Sequence, residues 1–164
     1  MRDYRNIFSF DVEWNWKTIS LLASLAVFPN ILGLFQSQIF GVRIHYFQYL
    51  VFLAAIIYGP SGGIISGAFG SVFTAVVLHN PYIIIGNMLL GGLTGIFLKY
   101  KLHIIIAALL AYLIQLPWLW ITDVYLAHMP VSAVKGIVVA LLVSNFIWAF
   151  FAGLTAKHIK KIFA

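Results

Sequence analysis

Residues 57–71 read IYGPSGGIISGAFGS: glycine or serine takes eight of the fifteen places, between the apolar runs VFLAAI (51–56) and VFTAVVL (72–78). A run this apolar is built for burial, yet it gives up side chains where a soluble core would fill space. Gly59-Pro60 reads as a tight turn, because proline cannot continue the helix before it. Beyond the turn, Gly62, Ser66, Gly70 and Thr74 fall on one i, i+4 row of a helix, with Gly63, Gly67, Ser71 and Ala75 on the row beside it. Together they make a smooth face that a second helix can approach closely, as helices do in lipid, where hydrophobicity offers no net drive. Gly91-x-x-x-Gly95 is a shorter face of the same kind. The spacing fits packing alone, and equally a face that slides or admits a ligand.

The rest of the chain makes lipid the solvent. Its 164 residues are 63% hydrophobic and 9% charged, with a mean hydropathy of +1.01; an ordinary soluble domain has about 25% charged residues. The uncharged runs outlast any core helix, which predicts an all-α polytopic membrane protein of one domain. There are no cysteines, which excludes a disulfide framework, cysteine-ligated zinc or iron–sulfur, and a thiol nucleophile. The opening MRDYRNIFSFDVEWNWK (1–17) lacks the apolar core and small-residue cleavage site of a signal peptide. Its Tyr4, Phe8, Phe10, Trp14 and Trp16 suit a segment lying at the membrane interface over residues 1–16.

A crossing helix needs about 20 apolar residues. Breaks at charges, prolines and glycines divide residues 17–164 into six spans, near 17–35, 43–58, 61–78, 82–98, 102–121 and 132–156. With six spans, the N-terminus, the loops after spans two and four, and the C-terminus share one side. That side collects Arg2, Arg5, Lys17, Lys99, Lys101, Lys157, Lys160 and Lys161, and the other holds Arg43 and Lys135. Eight against two puts both termini in the cytoplasm of a multi-pass cell-membrane protein. The net charge of +6 is then a topological signal, with anionic-lipid contact, and needs no nucleic-acid partner.

The order of features through residues 41–98 is more specific. GVRIHYFQYLVFLAAIIYGPSGGIISGAFGSV (41–72) is followed by IIIGNMLLGGLTGIFLK (83–99). This resembles the substrate-binding S components of energy-coupling factor (ECF) transporters. In that family a second span ends in a Gly-Pro turn, a glycine-rich third span follows, and a fourth carries a stretch of the IGNMLLGGLTG type. Length, six spans and cytoplasmic termini agree. The resemblance implies a subunit that captures a vitamin-like small molecule from outside, without a cofactor, and works with a transmembrane coupling subunit and two cytoplasmic ATPases. Family members often carry Ala-x-x-x-Ala on the first span for docking to the coupling subunit. Here SLLASLAVF (20–28) offers Ser20-x-x-x-Ser24 with Ala23 and Ala26. Several members also have an acidic residue after the glycine-rich run, where this chain has Gly70-Ser71-Val72.

Amides inside hydrocarbon are costly unless paired, so they mark helix contacts or a cavity. On the six-span layout Asn30, Gln48, Asn87 and Gln115 share a depth, roughly 8–9 Å below the outer surface. Asn145, with Trp148 one turn on, lies near the middle of span six. Each amide alone can bridge two helices. Four at one depth, with aromatic residues such as Tyr46, Tyr82, Trp118, Trp120 and Trp148 at hand, point to an outward-opening pocket; Trp118 and Trp120 also suit an interfacial belt. The expected binding set is Gln48, Asn87, Gln115, Asn145, Trp148, His45 and Tyr82. The outer histidines, His45, His79 and His128, share no i, i+4 spacing, so no metal site is expected. One outer acid, Asp123, against Arg43 and Lys135 favours a neutral or anionic, flat ligand. No Gly-x-Ser-x-Gly, His-Glu-x-x-His, Walker A or Gly-x-Gly-x-x-Gly motif occurs, and no nucleophile–base pair assembles, so the chain is not expected to be an enzyme. The rival reading is a structural membrane scaffold similar to the rod-shape protein MreD, of comparable size and span count. Against it, this chain lacks the acidic residue expected on that family's glycine-rich span.

Overall fold

The computed structural model describes residues 6–10, 12–39 and 42–163, with residues 36, 38, 39, 42 and 43 described by backbone alone. Arg2, Tyr4 and Arg5 lie outside the described residues. The fold is mostly helical. Four helices are long and apolar enough to cross a membrane: Gln48–Val77, Tyr82–Lys99, Ile104–Leu126 and Val131–Phe163. Trp16–Leu32 is a shorter apolar helix.

Helix α1 (Trp16–Leu32) opens on a reciprocal cap. Thr18 N donates to Asn15 Oδ1 and Asn15 N to Thr18 Oγ1, both at 2.9 Å, which satisfies two of the donors a helix start leaves free. Pro29 inside α1 has no N–H to return to the Leu25 carbonyl. Ser66 takes that carbonyl instead, its Oγ donating at 2.6 Å, as lipid-embedded helices require. After α1 a two-stranded antiparallel hairpin pairs β1 (Gln36–Ile39) with β2 (Val42–His45), Gln36 opposite His45.

Helix α2 (Gln48–Gly70) is not one rod. Gly59 adopts φ 70°, ψ −159°, a region essentially closed to L side chains. Pro60 then takes the first position of the next helical run, where its missing N–H costs nothing. The chain reverses there. A Cβ on Gly62 would meet the Ala54 carbonyl oxygen and Tyr58 Cβ, whereas a straight helix would hold residues 54 and 62 about 12 Å apart.

Contacts fix the direction of each arm. The second arm of α2 runs parallel to α1: Tyr58 Oη donates to Thr18 O at 2.5 Å, Ser66 meets Leu25, and Gly70 abuts Pro29. Helix α3 (Val72–Val77) follows it, and α4 (Tyr82–Lys99) returns antiparallel, with Gly67 on Asn87, Gly63 on Gly91, and Gly59-Pro60 on Gly95. Helix α5 (Ile104–Ile121) reverses again, placing Trp118 over Tyr82 and Gly86. Helix α6 (Val131–Phe163) runs back against it, with Tyr112 Oη on Val138 O at 2.7 Å and Ile104 on Gly153. The first arm of α2 lies along α6 in the same direction: His45 N donates to Ser144 Oγ at 3.1 Å, Tyr49 packs on Trp148, and Ile57 clusters with Ala156.

The elements depart from the sequence expectation in three places. The second helix starts at Gln48 rather than 43, because Val42–His45 pairs as a strand; the alternation Val-Arg-Ile-His is a strand pattern. The glycine-rich arm breaks at Ser71 (φ −105°, ψ 3°). Asn30 closes that break, its Nδ2 donating to Phe69 O and its Oδ1 accepting from Phe73 N, both at 2.8 Å. At the far end α5 continues through a π-turn, Thr122–Leu126, and α6 runs to Phe163.

Residues 6–10 and 12–15 lie across one end of the bundle. Lys99 Nζ donates to Asn6 O and Ser9 O at 3.1 Å, the Ser61 hydroxyl donates to Phe8 O, and Trp14 stacks on Tyr58. Lys160 and Phe163 share a cavity there with Glu13 and Asn15, so the beginning and end of the described chain meet. Phe8, Trp14 and Trp16 are exposed. The hairpin and the turns at His79–Pro81 and Thr122–Met129 form the opposite end.

Candidate functional site

At that opposite end a cavity of about 90 Å³ opens between α3, α4, α5, the π-turn, α6 and the hairpin. Its wall includes His45, Tyr82, Asn87 and Gln115 from the expected set, joined by Phe47, Thr74, Gly86, Trp118, Thr122, Asp123 and Leu141. Each helix delivers its residue for a local reason. Gly86 leaves the space that Gln115 and Trp118 occupy: a Cβ there would stand 3.2 Å from Gln115 Nε2 and 3.4 Å from Trp118 Cδ1. Trp118 Nε1 donates to Tyr82 O at 3.1 Å and its ring meets that of Tyr82 edge to face, so the two rings hold each other.

Gln48, Asn145 and Trp148 do not line the cavity; Gln48 and Asn145 stand next to or one turn from residues that do. Gln48 follows the lining Phe47 and sits one turn from Val51, which touches Gly91. Asn87 is likewise one turn from Gly91, so the two amides share a level. Asn145 is one turn beyond the lining Leu141. Gln48 and Asn145 are fully buried, and both polar atoms of each side chain lack a hydrogen-bond partner; so do Gln115 Oε1 and Trp148 Nε1. Asn87 Nδ2 donates to Ile83 O at 3.1 Å. Trp148 packs its ring against Tyr46, Tyr49 and Phe151. Each unpartnered buried polar group costs about 1–3 kcal/mol, and here they gather at one level.

Asn30 does not belong with them. It is spent on the Ser71 break described above, where it holds α1 to the glycine-rich arm. Of the remaining residues named from sequence, Gly62, Gly63, Ser66, Gly67, Gly70, Gly91 and Gly95 each lie at a close approach between helical arms. Ser20 and Ala23 are exposed on α1 and Ser24 is half-buried there; their hydroxyls bond within the helix, Ser24 Oγ to Ser20 O at 2.8 Å. Among the described residues no three His, Cys, Asp or Glu side chains gather.

Sequence reasoning treated Asn80 and Asp123 as loop residues. Both are buried, at 0% and 6% exposure, and Asn80 Nδ2 donates to Asp123 Oδ1 at 2.6 Å. Asp123 sits in the π-turn that prolongs α5, and the signal for it was a lone acid inside the apolar run ITDVYL (121–126). Lys135 is exposed and off the cavity wall. A charge count over loops therefore does not describe the cavity itself. No protein family, curated protein or solved structure matches the chain.

Proposed function

We propose that the chain is the substrate-capture subunit of an ECF-type importer for a vitamin-like small solute. On this reading it crosses the cell membrane six times, with both termini in the cytoplasm. The alternating direction of α1, the two arms of α2, α4, α5 and α6 supports six passes, as does the reversal at Gly59. The basic side of the sequence matches the end where Asn6 meets Lys99 and where Glu13 and Asn15 share a cavity with Lys160, and the cavity described above lies at the other end, facing outward. The exposed face of α1 around Ser20, Ala23 and Ser24 is then open to a coupling subunit, with two cytoplasmic ATPases beyond it.

One observation carries the proposal: unpartnered buried amides from three helical arms gather on and next to the wall of a cavity at one end of the bundle. A scaffold gains nothing from leaving Gln48, Gln115 and Asn145 unsatisfied, whereas a ligand or its waters can satisfy them. The test is native mass spectrometry of the full-length chain purified in mild detergent, to identify the co-purifying small molecule, followed by binding of that molecule to variants. Asn87→Ala and Asn145→Ala should each weaken binding roughly fivefold to two-hundredfold, the equivalent of about 1–3 kcal/mol, in protein that remains folded. No retained solute, or binding that survives both substitutions, would sink the proposal and favour the scaffold similar to MreD.

A further inference from the structure

The cavity wall carries one carboxylate, Asp123, and one imidazole, His45; among the described side chains no lysine or arginine lines it. Asp123 is 94% buried by its 6% exposure, and its partner Asn80 is a neutral amide bonded to one carboxylate oxygen. Among the described residues no hydrogen bond reaches the other oxygen. A buried carboxylate held by a single amide is poorly compensated for the water it has lost, and a cation beside it is the usual remedy. Gln115 Oε1 is a second acceptor without a donor. Tyr82 and Trp118, with ring centroids 6.5 Å apart and edge to face, add aromatic faces that attract a positive nitrogen.

The geometry points to a solute bearing a compact cationic nitrogen on a small flat body, its N–H groups or positive charge directed to Asp123 and Gln115 and held against Tyr82 and Trp118. The inference rests on the solute-binding reading of this cavity and names the ligand's charge, which the loop count had favoured as neutral or anionic. A cavity of about 90 Å³ admits one small head group rather than a whole drug-sized molecule, for which about 300–1,000 Å³ is usual.

The absence of cysteine allows a direct reading of the cavity's field. Met129→Cys places a thiol on the wall, since Met129 lines the cavity and its N–H bonds Asp123 O at 2.9 Å. Ser132→Cys places one on the exposed start of α6 nearby. The full-length chain is reacted with methanethiosulfonates of similar size, one carrying a trimethylammonium and one a sulfonate. The cationic-to-anionic rate ratio at position 129 should exceed that at position 132 by roughly tenfold or more. Adding Asp123→Asn should bring the two ratios together, and Asp123→Glu should keep them apart. Equal or inverted ratios in the Met129→Cys and Ser132→Cys proteins overturn the cationic ligand and leave the solute-binding reading standing, without recourse to the Asp123 variants. Labelling at 132 with neither reagent reaching 129 shows a cavity closed to solutes, and both readings fall.

Discussion

The two ends of α4 meet their neighbours in opposite ways. From Asn87 to Gly95 the helix lies backbone against backbone on the second arm of α2, through Gly67 on Asn87, Gly63 on Gly91 and Pro60 on Gly95. From Tyr82 to Asn87 it faces Gln115, Trp118 and the cavity. In the first region, side chains are removed so that dispersion between backbones can do what hydrophobicity cannot do in lipid. In the second, polar side chains stand among apolar ones, and buried amide atoms on and next to the wall lack partners. A bundle selected only for stability would have continued the close packing to the end of the helix. The switch from one mode to the other falls at Asn87, whose backbone is the last close contact and whose side chain is part of the cavity.

The largest effect is expected where the glycine contact is broken. A Cβ on Gly63 would overlap the Gly91 carbonyl, and neither backbone can move without carrying its helix. Gly63→Leu should destabilise by at least the upper end of the roughly 1–3 kcal/mol that overpacking costs. Size-exclusion profiles and thermal melts in detergent are the measurements. Gly136, with nothing within 4 Å of its Cβ position, is the control: Gly136→Leu should melt like the parent. Equal behaviour of the two variants would mean that the glycine-rich arm does not hold α4.

The amide end should respond with the opposite sign. Gln48→Met keeps the shape and removes two buried atoms without partners. In ligand-free protein it should raise stability by about 1–3 kcal/mol, because an unsatisfied group is replaced by an apolar one. Solute binding should fall at the same time. A lower melting temperature would show that the Gln48 amide holds helices together and would erase the contrast between the two ends.

The glycine-packed region was largely legible in the sequence, and the reason is physical. Helical spacing puts Gly63 and Gly67 on one row, close packing in lipid needs such rows, and Gly59-Pro60 announces its own turn. The cavity end was legible only in outline. Equal depth draws Gln48, Asn87 and Gln115 together, but it draws Asn30 as well, since depth says nothing about which way a side chain faces; only the bonds Asn30 makes across the Ser71 break set it apart. Asp123 and Asn80 escaped because a π-turn carries α5 past its apparent end and folds a loop acid back over the bundle. The hairpin hid for another reason: the alternation Val-Arg-Ile-His is only four residues long and runs on within two residues into the apolar run that begins the next helix.

Asn30 provides the smallest and most discriminating test of where the boundary runs. It shares its depth with the cavity amides but not their circumstances, since Phe69 O accepts from its Nδ2 and Phe73 N donates to its Oδ1. These are the backbone groups that the break at Ser71 would otherwise leave free, and α1 supplies the partner from outside the broken helix. Asn30→Ala removes both of these bonds and a third, from Nδ2 to Val27 O at 3.2 Å within α1. At about 1 kcal/mol for each hydrogen bond, the melting temperature should drop modestly, well short of the loss in Gly63→Leu. Solute affinity should change less than about twofold, a difference of about 0.4 kcal/mol, because the Asn30 amide is already bonded to backbone and α1 supplies no residue to the cavity wall. A calorimetric titration that finds Asn30→Ala as damaging to binding as Asn87→Ala would mean that the amides act through a shared depth rather than through a shared cavity. The line drawn at Asn87 would then have to move to α1.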